Sequence, residues 1–221
     1  MNMQIYFRHI FLLRIKGTKF ASIMIYYNYM NNKYSGRNAS RSFFVGFILC
    51  AVFLVPQLLD AQVSAEAEKA FQEARIQILK NRQNPVNFSL PLLNGREAAL
   101  SSYKGKVIIL NFWATWCPPC RAEMPSMETL YQRLKNQGLE ILAVDIGEDS
   151  DTVQKFIKSN PYTFPVLLDN GGKLSSQYGV SAIPTTYILD REGKIIARIV
   201  GSIQWDNPKV IAAFEALLKS R

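Results

Sequence analysis

Between Val107 and Trp113 the chain reads VIILNFW, an unbroken run without a charge, and four residues further on stands Cys117-Pro118-Pro119-Cys120. A strand with one wet face alternates apolar and polar side chains, so a continuous run of this kind predicts a central strand buried on both faces. Such a strand needs helices packed on either side. The first follows at once: Pro118 to Asn136 carries Met127, Leu130, Tyr131 and Leu134 on one face at helical spacing, and Gly138 ends it.

Strand-like and helix-like segments then alternate to the end of the chain. Leu139 to Ile146 is read as a strand, Asp151-Thr-Val-Gln154 as a capping pair opening a helix that stops before Pro161, and Val166 to Asp169 as a short strand. Gly172 to Tyr178 is a short helix. Thr185 to Leu189 and Lys194 to Val200 form a hairpin across Asp190-Arg-Glu-Gly193. Asp206-Asn-Pro208 opens a last helix whose buried stripe is Val210, Ile211, Phe214, Leu217 and Leu218. This order defines an α/β fold with a mixed central β-sheet flanked by helices.

Charge separates the first part of the chain from the rest. The formal net charge is +9 over 221 residues, but residues 1–41 hold seven Lys/Arg and no Asp/Glu, leaving 19 basic against 17 acidic side chains elsewhere. The body of the chain therefore offers no basic stripe for nucleic acid, and no nucleic-acid partner is expected. Phe43 to Val55 is uncharged, follows Lys33, Arg37 and Arg41, and gives way to Pro56 and small residues. That is the layout of an export signal. The run is shorter than the roughly 20 apolar residues of a comfortable span, yet reading on to Leu59 keeps an uncleaved anchor open.

The expected organisation is thus a basic region at 1–41, a signal peptide or membrane anchor at 42–61, a linker helix at 62–84 and the folded domain at 85–221. Translation is expected to begin at Met24 or Met30, which would give the signal a basic leader of ordinary length. Ala67, Ala70, Phe71, Ala74 and Ile78 carry the helical spacing of the linker, and Asn84-Pro85 closes it. Cys50, inside the apolar run, is read as a small hydrophobe.

The remaining two cysteines carry the chemistry. Thiols two residues apart can close an intramolecular disulfide, and a helix N-terminus favours the thiolate of Cys117 through its unpaired N–H groups. That thiolate can attack a substrate disulfide, after which Cys120 resolves the mixed disulfide. Spacing alone leaves a buried thiol pair, a static disulfide or half of a zinc site open. Zinc finds little support, because there is no second C-x-x-C and the single histidine is His9.

Asn111 to Pro125 (NFWATWCPPCRAEMP), with Ile183-Pro184-Thr185 downstream, resembles the thioredoxin superfamily and, within it, the extracytoplasmic ResA/TlpA/CcmG-like thiol-disulfide oxidoreductases, a redoxin or AhpC/TSA-like group. The likeness runs from about Pro85 to Arg221. It implies a thioredoxin-like fold, a redox-active Cys117–Cys120 disulfide with no further cofactor and no metal, and a cis peptide at Pro184. It further implies a substrate-binding edge of Trp116, Pro118, Ile183 and Pro184.

Thioredoxin itself has a buried aspartate where Asn111 stands, so protons must be handled elsewhere. Glu123, three residues after Cys120 on its face of the helix, resembles an acidic residue of the ResA-like group and is expected to take part in catalysis.

The resemblance implies an exported enzyme, periplasmic or on the outer face of the cytoplasmic membrane, acting on protein disulfides. Apocytochrome c before haem attachment is the expected substrate and a membrane protein of the DsbD/CcdA type the electron donor. A general envelope reductase or oxidant is the alternative. Two rivals share the fold. Peroxiredoxins need Thr-x-x-Cys, whereas Thr115 precedes Cys117 by two residues; copper-delivery modules use C-x-x-x-C with a downstream histidine, and neither is present.

Overall fold

The computed structural model describes residues 65–160 and 162–219. The basic region 1–41 with its two start methionines, the signal or anchor expected at 42–61, and Cys50 lie outside the described residues. Among the described residues no helix is long and apolar enough to cross a membrane.

Helical residues 65–73 (α1) lead into β1 (Ile78–Gln83), and β2 (Ser89–Pro91) and β3 (Glu97–Ala99) form a short hairpin. Next come β4 (Val107–Trp113), α2 (Pro118–Leu134) and β5 (Leu139–Ile146). Then follow α3 (Ser150–Lys158), β6 (Val166–Asp169) and α4 (Lys173–Gln177). The last elements are β7 (Thr185–Leu189), β8 (Ile195–Val200) and α5 (Pro208–Lys219).

Six strands make one sheet in the order β1-β8-β7-β4-β5-β6. β4, β5 and β6 are parallel, while β7 runs antiparallel to β4 and β8, and β1 antiparallel to β8. The mixed sheet and the flanking helices agree with the expected fold class. Every residue of β4 is buried. Val107, Ile109 and Trp113 face one core with Phe71 of α1, Met124, Met127, Leu130 and Leu134 of α2, and Val210 and Phe214 of α5. Ile108, Leu110 and Phe112 face a second core with Leu174 and Tyr178, closed by Ala98 of β3 and Leu100 just after it. Two covered faces are what an uninterrupted apolar strand requires.

The expected linker helix at 62–84 needs correction. The helix stops after residue 73, because Arg75 takes a left-handed conformation at φ 60°. Ile76 N–H then donates to Phe71 O at 2.9 Å and Arg75 N–H to Gln72 O at 2.9 Å, the double bond pattern of a left-handed helix stop. Ile76 and Phe71 are both buried, which supplies the apolar contact that accompanies such a stop. After Gln77, the six residues ILKNRQ are the edge strand β1, with its last four side chains exposed. Lys80 and Arg82 on that rim oppose pairing with another chain's edge.

The helix expected to be capped by Asp151 opens two residues earlier. Its cap is Asp149, whose carboxylate accepts Thr152 N–H at 2.9 Å, and Asp151 sits in the first turn. The β2–β3 hairpin was not foreseen. It joins the sheet edge through Leu93 N–H to Val166 O at 3.2 Å and a bridge between Leu92 and Leu167.

Phe71, 1% exposed, meets the Phe214 ring edge-on at 5.4 Å. Ala67, Phe71 and Ile76 therefore belong to the core. Phe71→Ala should lower the free energy of unfolding by about 3–5 kcal/mol in urea titrations. A loss below ~1 kcal/mol would return the segment to a linker.

Candidate active site

The site is assembled at the C-terminal end of β4, where the chain leaves the sheet and turns into α2. Cys117 N–H donates to Ala114 O at 3.2 Å, closing a four-residue turn, and Cys117 is the N-cap of α2. The first two helical residues are Pro118 and Pro119, which have no N–H. The first backbone donor of the helix is thus Cys120 N–H, and it points at Cys117 Sγ, 3.2 Å away. A sulfur placed there has the positive end of the helix to stabilise its thiolate.

The two sulfurs are joined as a disulfide. Cys117 keeps 3% of its surface open and Cys120 none, so an incoming sulfur meets Cys117 first. Trp116 is 64% exposed beside it, and Pro118 is exposed as well. Across the site the Ile183–Pro184 peptide is cis, and Ile183 O lies 3.8 Å from Cys117 Sγ. Gly201 N–H donates to Pro184 O at 2.8 Å, tying this loop to the end of β8. The Ile183 carbonyl thus stands beside Cys117 Sγ, with Pro184 next in the chain and Trp116 directly before the cysteine.

One neighbour was missed. Val200, opposite Thr185 in the β7–β8 register, is 55% exposed and extends the apolar rim. As the last residue of an ordinary-looking strand it carried no signal in the sequence.

Glu123 lies one helical turn beyond Cys120 and is 2% exposed. Its Oε1 accepts Asn111 Nδ2 at 2.9 Å, and its Oε2 accepts Ile203 N–H at 3.2 Å and Trp205 Nε1 at 3.1 Å. Burial pushes the carboxyl up to about 7, against the opposing pull of these bonds from Trp205, Ile203 and Asn111. A group poised there can hold or release a proton at neutral pH.

Asn111 also donates to Thr186 Oγ1 at 2.9 Å, so the amide that replaces a titrating group bridges β4, β7 and α2. Ser126 donates to Glu123 O at 2.7 Å and accepts Trp205 N–H at 3.1 Å, which fixes the indole against the helix. Trp205 and Ile203 were not singled out by sequence. A lone tryptophan ahead of a helix was the available hint.

Fold and site together define a thioredoxin-like thiol-disulfide oxidoreductase. The chain belongs to the AhpC/TSA family, whose model matches residues 82–198. It is similar to the thiol-disulfide oxidoreductase ResA of Bacillus subtilis, 44% identical over 117 residues that cover 53% of this chain and 65% of that one. ResA of Geobacillus thermodenitrificans is 43% identical over 123 residues, 56% of this chain and 71% of the relative. The chain thus matches about two thirds of the length of such curated relatives. Among solved structures, the thiol:disulfide interchange protein DsbE of Chlorobium tepidum superposes with a TM-score of 0.59 at 32% identity, covering 63% of this chain and 99% of that one. StoA of Bacillus subtilis does so with 0.51 at 30%, covering 57% and 96%.

The raised carboxyl has a definite sign. Folded Glu123 binds its proton more tightly than the unfolded group, so its contribution to stability is full below about 4.5 and is lost as pH rises through about 7. Glu123→Gln should remove that declining component from the pH–stability curve and flatten the thiol-exchange profile near pH 7. Parallel curves for the two proteins would place the titration elsewhere.

Proposed function

We propose that this protein is an extracytoplasmic reductase of protein disulfides, that the cysteine pair of apocytochrome c before haem attachment is its substrate, and that a membrane protein of the DsbD/CcdA type recharges it. The observation that carries the reading is the pairing of a helix-capping Cys117, open to an apolar rim, with a buried carboxyl near pH 7 behind the inner cysteine. The likeness to ResA and DsbE proteins supports thiol-disulfide exchange, and the uncharged run Phe43–Val55 inside the segment expected to be a signal or anchor supports export.

The steps balance as follows. Cys117 thiolate attacks one sulfur of the substrate disulfide, forming a mixed disulfide and expelling a substrate thiolate that takes a proton. The Cys120 thiol passes its proton to Glu123 and attacks Cys117 Sγ, which breaks the mixed bond and frees the second substrate thiolate. Two electrons have moved from this chain to the substrate, leaving the Cys117–Cys120 disulfide. A membrane dithiol reverses the sequence and restores the reduced pair.

Each residue has a place in this scheme. Trp116 and Pro118 form one wall of the docking rim. Ile183 and Pro184 form the opposite wall, with the Ile183 carbonyl beside the attacking sulfur. Peroxide chemistry is disfavoured, because Thr115 precedes Cys117 by two residues rather than three and its hydroxyl donates to Glu148 at 2.6 Å.

Replacing Cys120 with Ser in the full chain should trap the first intermediate on Cys117. Mass spectrometry of the trapped complexes in cells is expected to return apocytochromes c as the dominant partners. A broad set of envelope proteins would replace that reading with a general reductase or oxidant.

A further inference from the structure

The turn that presents Cys117 is closed at one end by its own backbone, but its middle is held from a different part of the sheet. Ala114 O accepts Cys117 N–H, which leaves Thr115 N–H without a partner inside the turn. Glu148, in the loop between β5 and α3, takes it. Glu148 Oε2 accepts Thr115 N–H at 2.6 Å and Oε1 accepts Thr115 Oγ1 at 2.6 Å, so one carboxylate grips the residue by backbone and side chain together. Hydrogen bonds to an ionised acceptor are short and about twice as strong as neutral ones.

Glu148 is held in turn. Its own N–H donates to Asp145 Oδ1 at 3.2 Å, at the end of β5, where Asp145 stands opposite Trp113 in the β4–β5 register. Asp145 is wholly buried and its Oδ2 has no hydrogen-bond partner. Burial first, then the facing Glu148 carboxylate, push the Asp145 carboxyl up to about 8, against the pull of the Glu148 N–H.

We propose that Glu148 is a positioning residue for disulfide exchange: its carboxylate locks Thr115, so that Trp116 and Cys117 are held as one rigid platform against a docked disulfide. The residue touches neither sulfur; it acts through the turn. A misplacement of the attacking atom by a fraction of a bond length is enough to slow a reaction of this kind. The inference rests on Cys117 being the attacking sulfur and is independent of which protein supplies the substrate.

The test follows the reduced full chain reacting with a synthetic peptide disulfide, with rates expressed per folded molecule. Glu148→Ala should slow the exchange roughly tenfold, the cost of one lost charge-assisted grip. Glu148→Gln, which offers an oxygen to Thr115 N–H and an amide to its hydroxyl, should stay within about threefold of the unaltered chain.

Thr115→Val should slow exchange, Thr115→Ser should not, and Thr115→Val combined with Glu148→Ala should be no slower than Glu148→Ala alone. The two Thr115 variants carry the test if Glu148→Ala fails to fold. Equal rates for all variants, or losses that simply multiply, would overturn the clamp while leaving Cys117 in its role. An unaltered chain that is inert toward the peptide would overturn both.

Discussion

The turn that carries Cys117 hangs from the end of β4, and β4 is placed by burial on both faces of the sheet. Its odd-numbered residues face the helices α1, α2 and α5, while its even-numbered residues face α4 and the hairpin side. A strand clamped in this way cannot slip register without turning each apolar side chain onto the wrong core. The turn at Ala114 to Cys117 therefore starts from a fixed point. The prolines that follow then leave Cys120 N–H as the first donor of α2, and it falls on the Cys117 sulfur. The reactivity of one sulfur thus descends from the packing of seven buried residues.

The polar groups buried around that strand are costly unless matched, and most are. Asn111, Glu123, Thr186, Ser126 and Trp205 form one connected set, joined across β4, β7, α2 and the loop before α5. Asn111 Oδ1, Trp113 Nε1 and Asp145 Oδ2 remain without partners. An unmet buried group costs about 1–3 kcal/mol, and these three all lie on β4 or at the end of β5 beside it.

The central part of the fold was readable because its signals are local and strong. The β4 run, the α2 stripe, the β7–β8 hairpin and the α5 start each follow from the period of their own apolar residues, and the cysteine pair from its spacing. β1 was misread for a physical reason: an edge strand buries little, so ILKNRQ looks like a solvated helix face, and Arg75 supplies the left-handed stop for which glycine is the usual marker. The β2 and β3 strands are three residues each, too short for alternation to register.

Spacing singled out the cysteine pair and the family resemblance singled out Glu123, but the residues that hold them could not be read from sequence. Ile203 acts through a backbone N–H, Trp205 arrives from 82 residues away, and Glu148 reaches Thr115 across 33. Such partners are created by the topology and leave no pattern along the chain.

In the proposed mechanism helix geometry makes Cys117, and not Cys120, the reactive thiolate. Limiting iodoacetamide applied to the fully reduced protein across pH 5 to 10, followed by peptide mapping, measures this directly, an ordinary thiol titrating near ~8.5. Label should appear first on Cys117, with an apparent pKa below that ordinary value, while Cys120 stays unlabelled until the protein unfolds. Label on Cys120 first, or equal labelling of both with ordinary thiol titration, would contradict it.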